Sequence, residues 1–447
     1  MAMSRTVSSA CAELRGMGAE VLLNRKDSLV IIGAAGMFSV PDSGALHLSK
    51  NAIFDFLNDF ETGFRIGIRG VPACFLPGAE DHVEHFSGAK CRRLRQCAAC
   101  RLRDKCPGIP CDMPLTELFM SGLLSVRDVP RELCIEVTGS CNYHCRACFS
   151  QGKCAGPSAK TVTGMLGQAA RMGIKIARFT GGEPLLRKEL PGFLACAREK
   201  GFFNILNTNA TLLDSGRLAL IEENVDDVLV SLQGCDERTE RYLCGTGDLF
   251  RAKLLNIARV RGSGIPILRL GTVISHVLLD NFKRYRDLVE FLRPQQWEFY
   301  RPMMGADDYA PAFDIGVGDI RRLLKLLDGS GLEGVELKIA NPVPLCLFGA
   351  GARNRRFFGA AFDDGHTRLV LDARGFLKPS YCLDKRLGLN MASAWNKPFM
   401  RRLRSEDSLP SRCRACPDVG KCMGGSRFAA YAASGDYFAP DPWMVEA

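Results

Sequence analysis

The sequence predicts an α/β protein organised around an incomplete barrel of six strand–helix units. Three observations lead there. Strands and helices alternate from about Arg131 to Ala340, and parallel strands need crossover helices to join them. Six units fall short of the eight that close a full barrel. The residues able to carry chemistry gather at C-terminal strand ends, the face on which barrel enzymes place their sites.

The elements follow in order. Residues 1–130 read as a small α+β domain. Val21–Leu23 and Ser28–Ile32 are strands, and Ala52–Phe60 is an amphipathic helix with Ile53, Phe56, Leu57 and Phe60 on one stripe. This domain either caps the barrel or docks a peptide. In the barrel, residues 131–340, Leu133–Val137 is the first strand. Later strands lie near 174–180, 203–207, 227–232, 267–274 and 297–301. Helices lie near 160–172, 186–200, 213–223, 247–262, 280–293 and 317–328. Tyr300 and Arg301 end the sixth strand, where they either contact a substrate or close the barrel. Residues 341–447 are loop-rich and form a third part.

Composition narrows the class. A chain of 447 residues with 47% hydrophobic and 24% charged residues is ordinary globular material for about three domains. Nothing approaches a run of ~18 apolar residues, so no membrane span is expected, and Met1–Arg5 lacks the order of a signal peptide. The 20 cysteines bunch at 91–111, 134–154 and 413–422. Bunching at short spacing points to metal ligands kept reduced in the cytoplasm rather than to spread disulfides. Net charge is +10, with basic runs at Lys90–Arg95, Arg101–Lys105 and Arg401–Arg404. Such runs form a solvated face or meet an acidic peptide, an anionic cofactor or nucleic acid. No nucleic-acid module motif is present and aromatic residues are not interleaved, so nucleic acid is not expected.

The most specific motif is Cys141-Asn-Tyr-His-Cys145-Arg-Ala-Cys148. Three thiolates can hold a four-iron cluster and leave one iron without a protein ligand, whereas a closed electron-transfer cluster takes four. Zinc is the rival, but its structural sites pair two short hooks. His144 adjoins Cys145 and is not expected to fold back onto the same metal. Downstream, Gly181-Gly182-Glu183 follows a strand and precedes a helix. The glycines allow close backbone approach and Glu183 offers acceptor oxygens.

Two further cysteine groups share one spacing. Cys97-x2-Cys100-x5-Cys106 is repeated by Cys413-x2-Cys416-x5-Cys422. Each reads as three ligands of a cluster, with zinc the alternative for the first set. Cys91 or Cys111 would complete the first, and Cys382 or Cys346 the second. Cys11 and Cys74 read as buried thiols. Cys134 lies inside a strand and faces the wrong way for a ligand. Cys154, Cys196, Cys235 and Cys244 read as packing residues.

With the triplet and the Gly-Gly-Glu loop in this order, the chain resembles the radical S-adenosylmethionine (SAM) superfamily. The likeness implies a partial TIM-like barrel of six units. It implies that Cys141, Cys145 and Cys148 bind a 4Fe-4S cluster, that SAM chelates its open iron, and that Gly181, Gly182 and Glu183 receive the SAM amino group. Asn207–Thr211, with Asn209, and Ser231–Gly234, led by Ser231, resemble the strand ends that face SAM. Gly271–Ser275 resembles the strand that passes the adenine. Two departures stand out: Ala147 replaces a common aromatic residue, with Phe149 able to take over its packing, and Asn209-Ala210 stands where many relatives have Asn-Gly.

The last part resembles the SPASM domain or its shorter twitch form, which carries auxiliary clusters. A full SPASM domain has a cysteine where this chain has Ser426, and another near Trp443-Met444. The resemblance therefore implies one or two auxiliary 4Fe-4S clusters in the chain, a single one of them C-terminal. It also implies reductive SAM cleavage to a 5′-deoxyadenosyl radical, hydrogen abstraction from substrate, and a low-potential donor of the flavodoxin or ferredoxin type. The substrate would be a peptide or protein, or alternatively a tetrapyrrole or other small molecule. A different class stays open: an iron–sulfur carrier without SAM turnover.

Overall fold

The computed structural model describes residues 129–148, 154–303, 311–349, 356–359, 365–405, 408–414, 416 and 418–445. Before these it describes Cys106 and five short strands. The chain divides into two compact units, Met1–Arg127 and Asp128–Ala447.

In the first unit, β1 (Glu20–Asn24) and β2 (Leu29–Gly33) pair antiparallel, and β3 (Arg65–Arg69) joins β2 in parallel. A second pair, β4 (Cys91–Arg92) and β5 (Ile109–Pro110), is antiparallel. Both strands expected near residue 30 are present. The expected helix Ala52–Phe60 lies outside the described residues, as do Cys97, Cys100 and Cys111.

The second unit is built on a nine-stranded sheet. Its strands are β6 (Glu132–Thr138), β7 (Ile176–Gly181), β8 (Phe203–Thr208), β9 (Asp227–Ser231), β10 (Ile267–Val273), β11 (Gln296–Tyr300), β12 (Glu336–Ile339), β13 (Arg368–Leu371) and β14 (Leu377–Lys378). The order is β12-β11-β10-β9-β8-β7-β6-β13-β14. Neighbours are parallel except β13 and β14. The run β6 to β12 is consecutive, as expected for a partial barrel. The three strands beyond the six expected have at most four residues each, too few for a clear period, and β13 pairs with β6, more than 200 residues before it.

Helices α1 (Ala159–Arg171), α2 (Leu190–Glu199), α3 (Ser215–Glu222), α4 (Glu237–Cys244), α5 (Phe250–Gly262), α6 (His276–Asp280), α7 (Phe282–Leu292) and α8 (Val317–Asp328) accompany the sheet. α1 shows how they form. Ser158 caps it by accepting the Thr161 amide at 3.1 Å, and Val162, Met165, Leu166 and Ala169 are its buried stripe. Two of these, α4 and the short α6, were not expected; α4 carries an Asp236/Thr239 capping box and stops at left-handed Gly245. Past β14 come α9 (Met391–Trp395), α10 (Pro398–Leu403), α11 (Ser411–Arg414), α12 (Val419–Cys422), α13 (Arg427–Ser434) and α14 (Pro442–Val445).

The two-residue period of the strands sorts side chains onto two faces. Leu133, Ile135 and Val137 join Phe179, Leu206, Val228 and Leu270 in the apolar core. Glu132, Cys134 and Glu136 take the opposite face of β6. That face is charged and buried. Glu132 pairs with Arg178 and, at 3.1 Å, with Arg368. Arg269 pairs with Asp227 at 2.8 Å and with Glu298, and Lys378 pairs with Glu136 at 3.1 Å. A barrel interior is usually filled by branched apolar side chains; here ion pairs fill it. Cys134 stands among them, and burial pushes its thiol up to about 12.

Candidate functional site

The triplet loop leaves β6 at its C-terminal end. The β6–β7 register shifts between Glu136 and Thr138, which turns the chain out of the sheet. The Gly139 amide donates to the Cys154 carbonyl at 2.9 Å and the Ser140 amide to Thr138 Oγ1 at 3.1 Å. Cys141, Cys145 and Cys148 are all half-buried on this loop, and His144 is exposed. The Tyr143 amide donates to Cys141 Sγ at 3.4 Å. Burial nevertheless pushes the Cys141 thiol up to about 11.

The far side of the loop is clipped to the end of α4. The His144 amide donates to the Cys244 carbonyl at 3.0 Å, and the Arg146 amide to that of Leu243 at 2.9 Å. Cys244 is buried, and a hydrogen bond from its thiol holds Cys145 below the usual thiol range, opposed by burial and aided by the Lys253 charge. Lys253 and Glu240 form an ion pair with both side chains fully buried. Lys253 also donates to the Ser231 carbonyl at 3.0 Å and lies 4.8 Å from the Tyr143 ring centre, while Glu240 accepts the Gly234 amide at 2.7 Å. One charged pair thus joins α4, α5, the end of β9 and the cysteine loop. Sequence reasoning missed Glu240, Lys253 and Cys244. The signal for α4 was present in Asp236-x-x-Thr239 followed by Gly245.

The Gly-Gly-Glu loop holds the other side. At Gly181 a Cβ would strike the Thr138 carbonyl, and at Gly182 the Ser140 carbonyl. The glycines therefore let β7 pack on the cysteine loop. This packing is a second reason for the glycines beside the ligand approach expected of them. The Gly182 and Glu183 amides donate to Thr138 and Ser140 at 2.7 and 2.8 Å. Glu183 is fully buried. It accepts from Leu185 N (3.1 Å), Thr208 Oγ1 (2.7 Å) and Asn209 N (2.7 Å). Burial pushes its carboxyl up against these bonds. Asn209 donates to Asn142 Oδ1 at 2.8 Å, and Asn142 to Thr211 Oγ1 at 2.8 Å. This clamp ties the end of β8 to the residue after Cys141. Ala210 adopts φ 61, a conformation glycine takes freely and alanine takes at a cost of about 1–2 kcal/mol. Its amide donates to Thr208 Oγ1 and its carbonyl accepts from buried Asn256 at 2.7 Å, which accounts for the Asn-Ala in place of Asn-Gly.

Ser231 is half-buried at the end of β9. Tyr300 extends over Gly271, where a Cβ would meet its ring at 2.9 Å, and its hydroxyl donates to Glu298. Arg301 is occupied within the protein. It pairs with Asp441 at 2.8 Å and stacks 3.6 Å from the Trp443 ring centre. Asp441 also accepts the Ser426 amide at 2.8 Å, and Ser426 Oγ lies 3.8 Å from Met303 Sδ. The two places where a fuller auxiliary domain has cysteines are thus packed by Ser426 and Trp443 around one ion pair.

The C-terminal hook gathers differently. Cys413 and Cys422 are buried, Cys416 and Cys382 half-buried, and Cys346 exposed. The Leu345 amide donates to Cys422 Sγ at 3.3 Å, which brings Cys346 beside the hook. Burial raises both the Cys413 and Cys422 thiols, and the charge of Cys346 acts on each of them. Cys346 is thus placed close enough for its charge to act on the hook. In the N-terminal set, Cys106 is half-buried and Cys91 opens β4.

Among the described residues no three His, Cys, Asp or Glu side chains converge on one point that would hold a single metal ion. A four-iron cluster instead spaces its thiolates around a cube. Three half-buried thiols on one loop, without a carboxylate beside them on that loop, are the soft donor set that iron–sulfur clusters take.

Comparison with known proteins agrees with this geometry. Residues 135–292 match the family described as the radical SAM superfamily. A PqqA peptide cyclase of Granulibacter bethesdensis is 24% identical over 343 residues, covering 71% of this chain and 88% of the relative. A second, from Gluconobacter oxydans, is 26% identical over 340 residues, covering 70% and 90%. Among solved structures, Streptococcus suis SuiB bound to precursor peptide SuiA aligns with a TM-score of 0.57 at 16% identity, covering 72% of this chain and 77% of that one.

Proposed function

We propose that this chain, a radical SAM enzyme whose barrel holds the matched domain, oxidatively modifies a peptide or protein. As a radical SAM enzyme it uses an iron–sulfur cluster and SAM. The observation that carries the reading is the Cys141/Cys145/Cys148 loop, braced on both sides at the C-terminal mouth of the sheet. Cys141, Cys145 and Cys148 would hold the cluster. When bound, the cluster and SAM supply a 5′-deoxyadenosyl radical able to take hydrogen from an unactivated C–H bond. Gly181, Gly182, Glu183, Asn209 and Ser231 border the place for SAM. Glu183 acts there by fixing Asn209 and the loop backbone. The ion-paired sheet interior makes a rigid floor that keeps stray water from the mouth.

Peptide is preferred to tetrapyrrole as substrate because the curated relatives are named for a peptide substrate and SuiB is captured with a precursor peptide. Residues 1–130, 131–340 and 341–447 are read as an N-terminal domain, the barrel and an auxiliary-cluster part. The C-terminal cluster would take Cys413, Cys416, Cys422 and Cys346, with Cys346 replacing Cys382 as fourth ligand. One cluster suits this part, because Ser426 and Trp443 are already packed with Arg301 and Asp441. A second auxiliary cluster on Cys91, Cys97, Cys100 and Cys106 belongs to the same reading. So do a low-potential flavodoxin-type donor and a cytoplasmic setting, where thiols stay reduced. Among the described residues no helix is long and apolar enough to cross a membrane.

The test is 5′-deoxyadenosine formation by anaerobically reconstituted protein with SAM and dithionite, beside the variant with Cys141, Cys145 and Cys148 all changed to Ala. Product from the wild type and none from the variant is expected. Equal product from both would overturn the assignment. Adding candidate precursor peptides should raise turnover; tetrapyrrole absorbance co-purifying with the protein would favour the other substrate.

A further inference from the structure

The basic run Arg401–Arg404 is not used by the site above, and the fold gives it a setting. Phe399, Tyr437, Phe438 and Tyr431 come together from α10, α13 and the segment after it. Tyr431 and Tyr437 stack with centres 4.1 Å apart. Phe399 meets Tyr437 at 5.3 Å and Phe438 at 5.9 Å, both edge-on. Tyr431 is 42% exposed, and the other three rings are half-buried against the core. Cations cover this strip. Arg402 lies 3.7 Å from the Phe438 centre and Lys385 5.4 Å from that of Phe399. Lys385, Arg386, Lys397, Arg401 and Arg402 are all exposed around it. Among the described residues the exposed acids beside them are Asp384, which pairs with Arg374 at 2.5 Å, and Asp436. The patch is an aromatic ridge with a cationic rim and an excess of positive charge.

The ridge is fastened to the cysteine hook. Arg427 is 2% exposed. Its guanidinium donates to the Gly424 carbonyl just past Cys422, and to the Tyr437 and Ala439 carbonyls at 3.4 and 3.1 Å. One buried cation therefore links the backbone behind the hook to the backbone that carries the ridge. Lys385 follows Cys382 by three residues, and α10 closely precedes Cys413.

We propose that this ridge is the docking surface for an acidic one-electron carrier protein that exchanges electrons with the C-terminal cluster. The inference rests on the reading of the chain as a radical SAM enzyme with a cluster on the hook. Charge decides the kind of partner: a cationic rim speeds encounter with an acidic protein and makes it salt-dependent. The exposed Tyr431 ring, backed by three half-buried ones, supplies the kind of aromatic anchor that interfaces use. A carrier needs its redox group close to a cluster, and the Arg427 side chain alone spans from Gly424, two residues past Cys422, to the backbone that carries the ridge. A substrate peptide needs the barrel mouth instead.

The experiment uses the full reconstituted protein and the Lys385→Glu/Arg401→Glu/Arg402→Glu variant, none of whose positions belongs to the site. SAM cleavage is driven either by dithionite or by an acidic flavodoxin with its reductase. Flavodoxin binding is followed separately by calorimetry at low and high salt. Expected are wild-type binding that weakens with salt, and a variant whose binding and flavodoxin-driven rate fall about tenfold while its dithionite-driven rate is unchanged. Tyr431→Ala should give a smaller loss in the same direction. Unchanged flavodoxin binding in the charge-reversed variant would overturn the proposal. So would a variant whose dithionite-driven rate falls because the KM for peptide rises, since the ridge would then belong to the peptide. Failure of the wild type to cleave SAM even with dithionite would count against the proposed function and leave calorimetry to decide the ridge.

Discussion

The loop at Cys141–Cys148 and the hook at Cys413–Cys422 use the same side chain in opposite settings. The loop keeps three half-buried thiols and is braced from outside by two clamps, Glu183 with Asn209 and Lys253 with Glu240. The hook buries Cys413 and Cys422 and draws in Cys346 from the segment after β12. Three protein thiolates leave a metal position for a small molecule, whereas four favour electron transfer. The difference lies less in the cysteines than in what packs around them.

The strongest way to break this comparison is at the loop. Cys145→Ala should abolish 5′-deoxyadenosine formation and lose one cluster's iron. Retained SAM cleavage would mean that the two regions are not divided as open and closed. Cys416→Ala should also lose one cluster's iron yet keep SAM cleavage without product formation. Iron content unchanged in that variant would remove the hook from the comparison.

The comparison sharpens at the fourth ligand. Cys346→Ala should lower iron and bleach the C-terminal cluster's absorbance, while Cys382→Ala should leave both near wild type. The reverse result would restore Cys382. The bracing of the loop has its own test. Lys253→Met leaves Glu240 buried without its partner, which costs about 3–5 kcal/mol, read as a lowered chemical-denaturation midpoint. A smaller effect is expected from the sheet interior as acid is added. Burial pushes the Glu132 carboxyl up, but Arg178 and Arg368 outweigh it and hold it at about 2, against an ordinary value of 4.5. Because the folded value is the lower one, the stabilisation is present above about pH 4.5 and is lost as pH falls toward 2. Glu132→Gln should flatten that part of the acid-unfolding curve. An unchanged curve would show that other carboxylates govern it.

Much of this was legible because it is local. The cysteine spacing lies within eight consecutive residues, and the strands and helices announce themselves by period and caps. Short strands were not legible. β13 has four residues, and it becomes a strand by pairing with β6. Arg301 could be read as meeting substrate or as closing the barrel, and the fold gives it to Asp441 and Trp443. Gly181 and Gly182 were legible as special positions, but their packing on the Thr138 and Ser140 carbonyls was not, since it depends on which backbone passes beside them.

By itself, then, the sequence determined the donor set of the loop, the repeated hook and the alternation that builds the sheet, because each depends on neighbours in the chain. The tertiary structure decided that Cys346 lies beside the hook, that charged pairs fill the sheet interior, and that Glu183 and Lys253 brace the loop. Those outcomes join residues tens to hundreds of positions apart. A buried charge or polar group is stable only beside its partner, and the partner is known once the chain has folded.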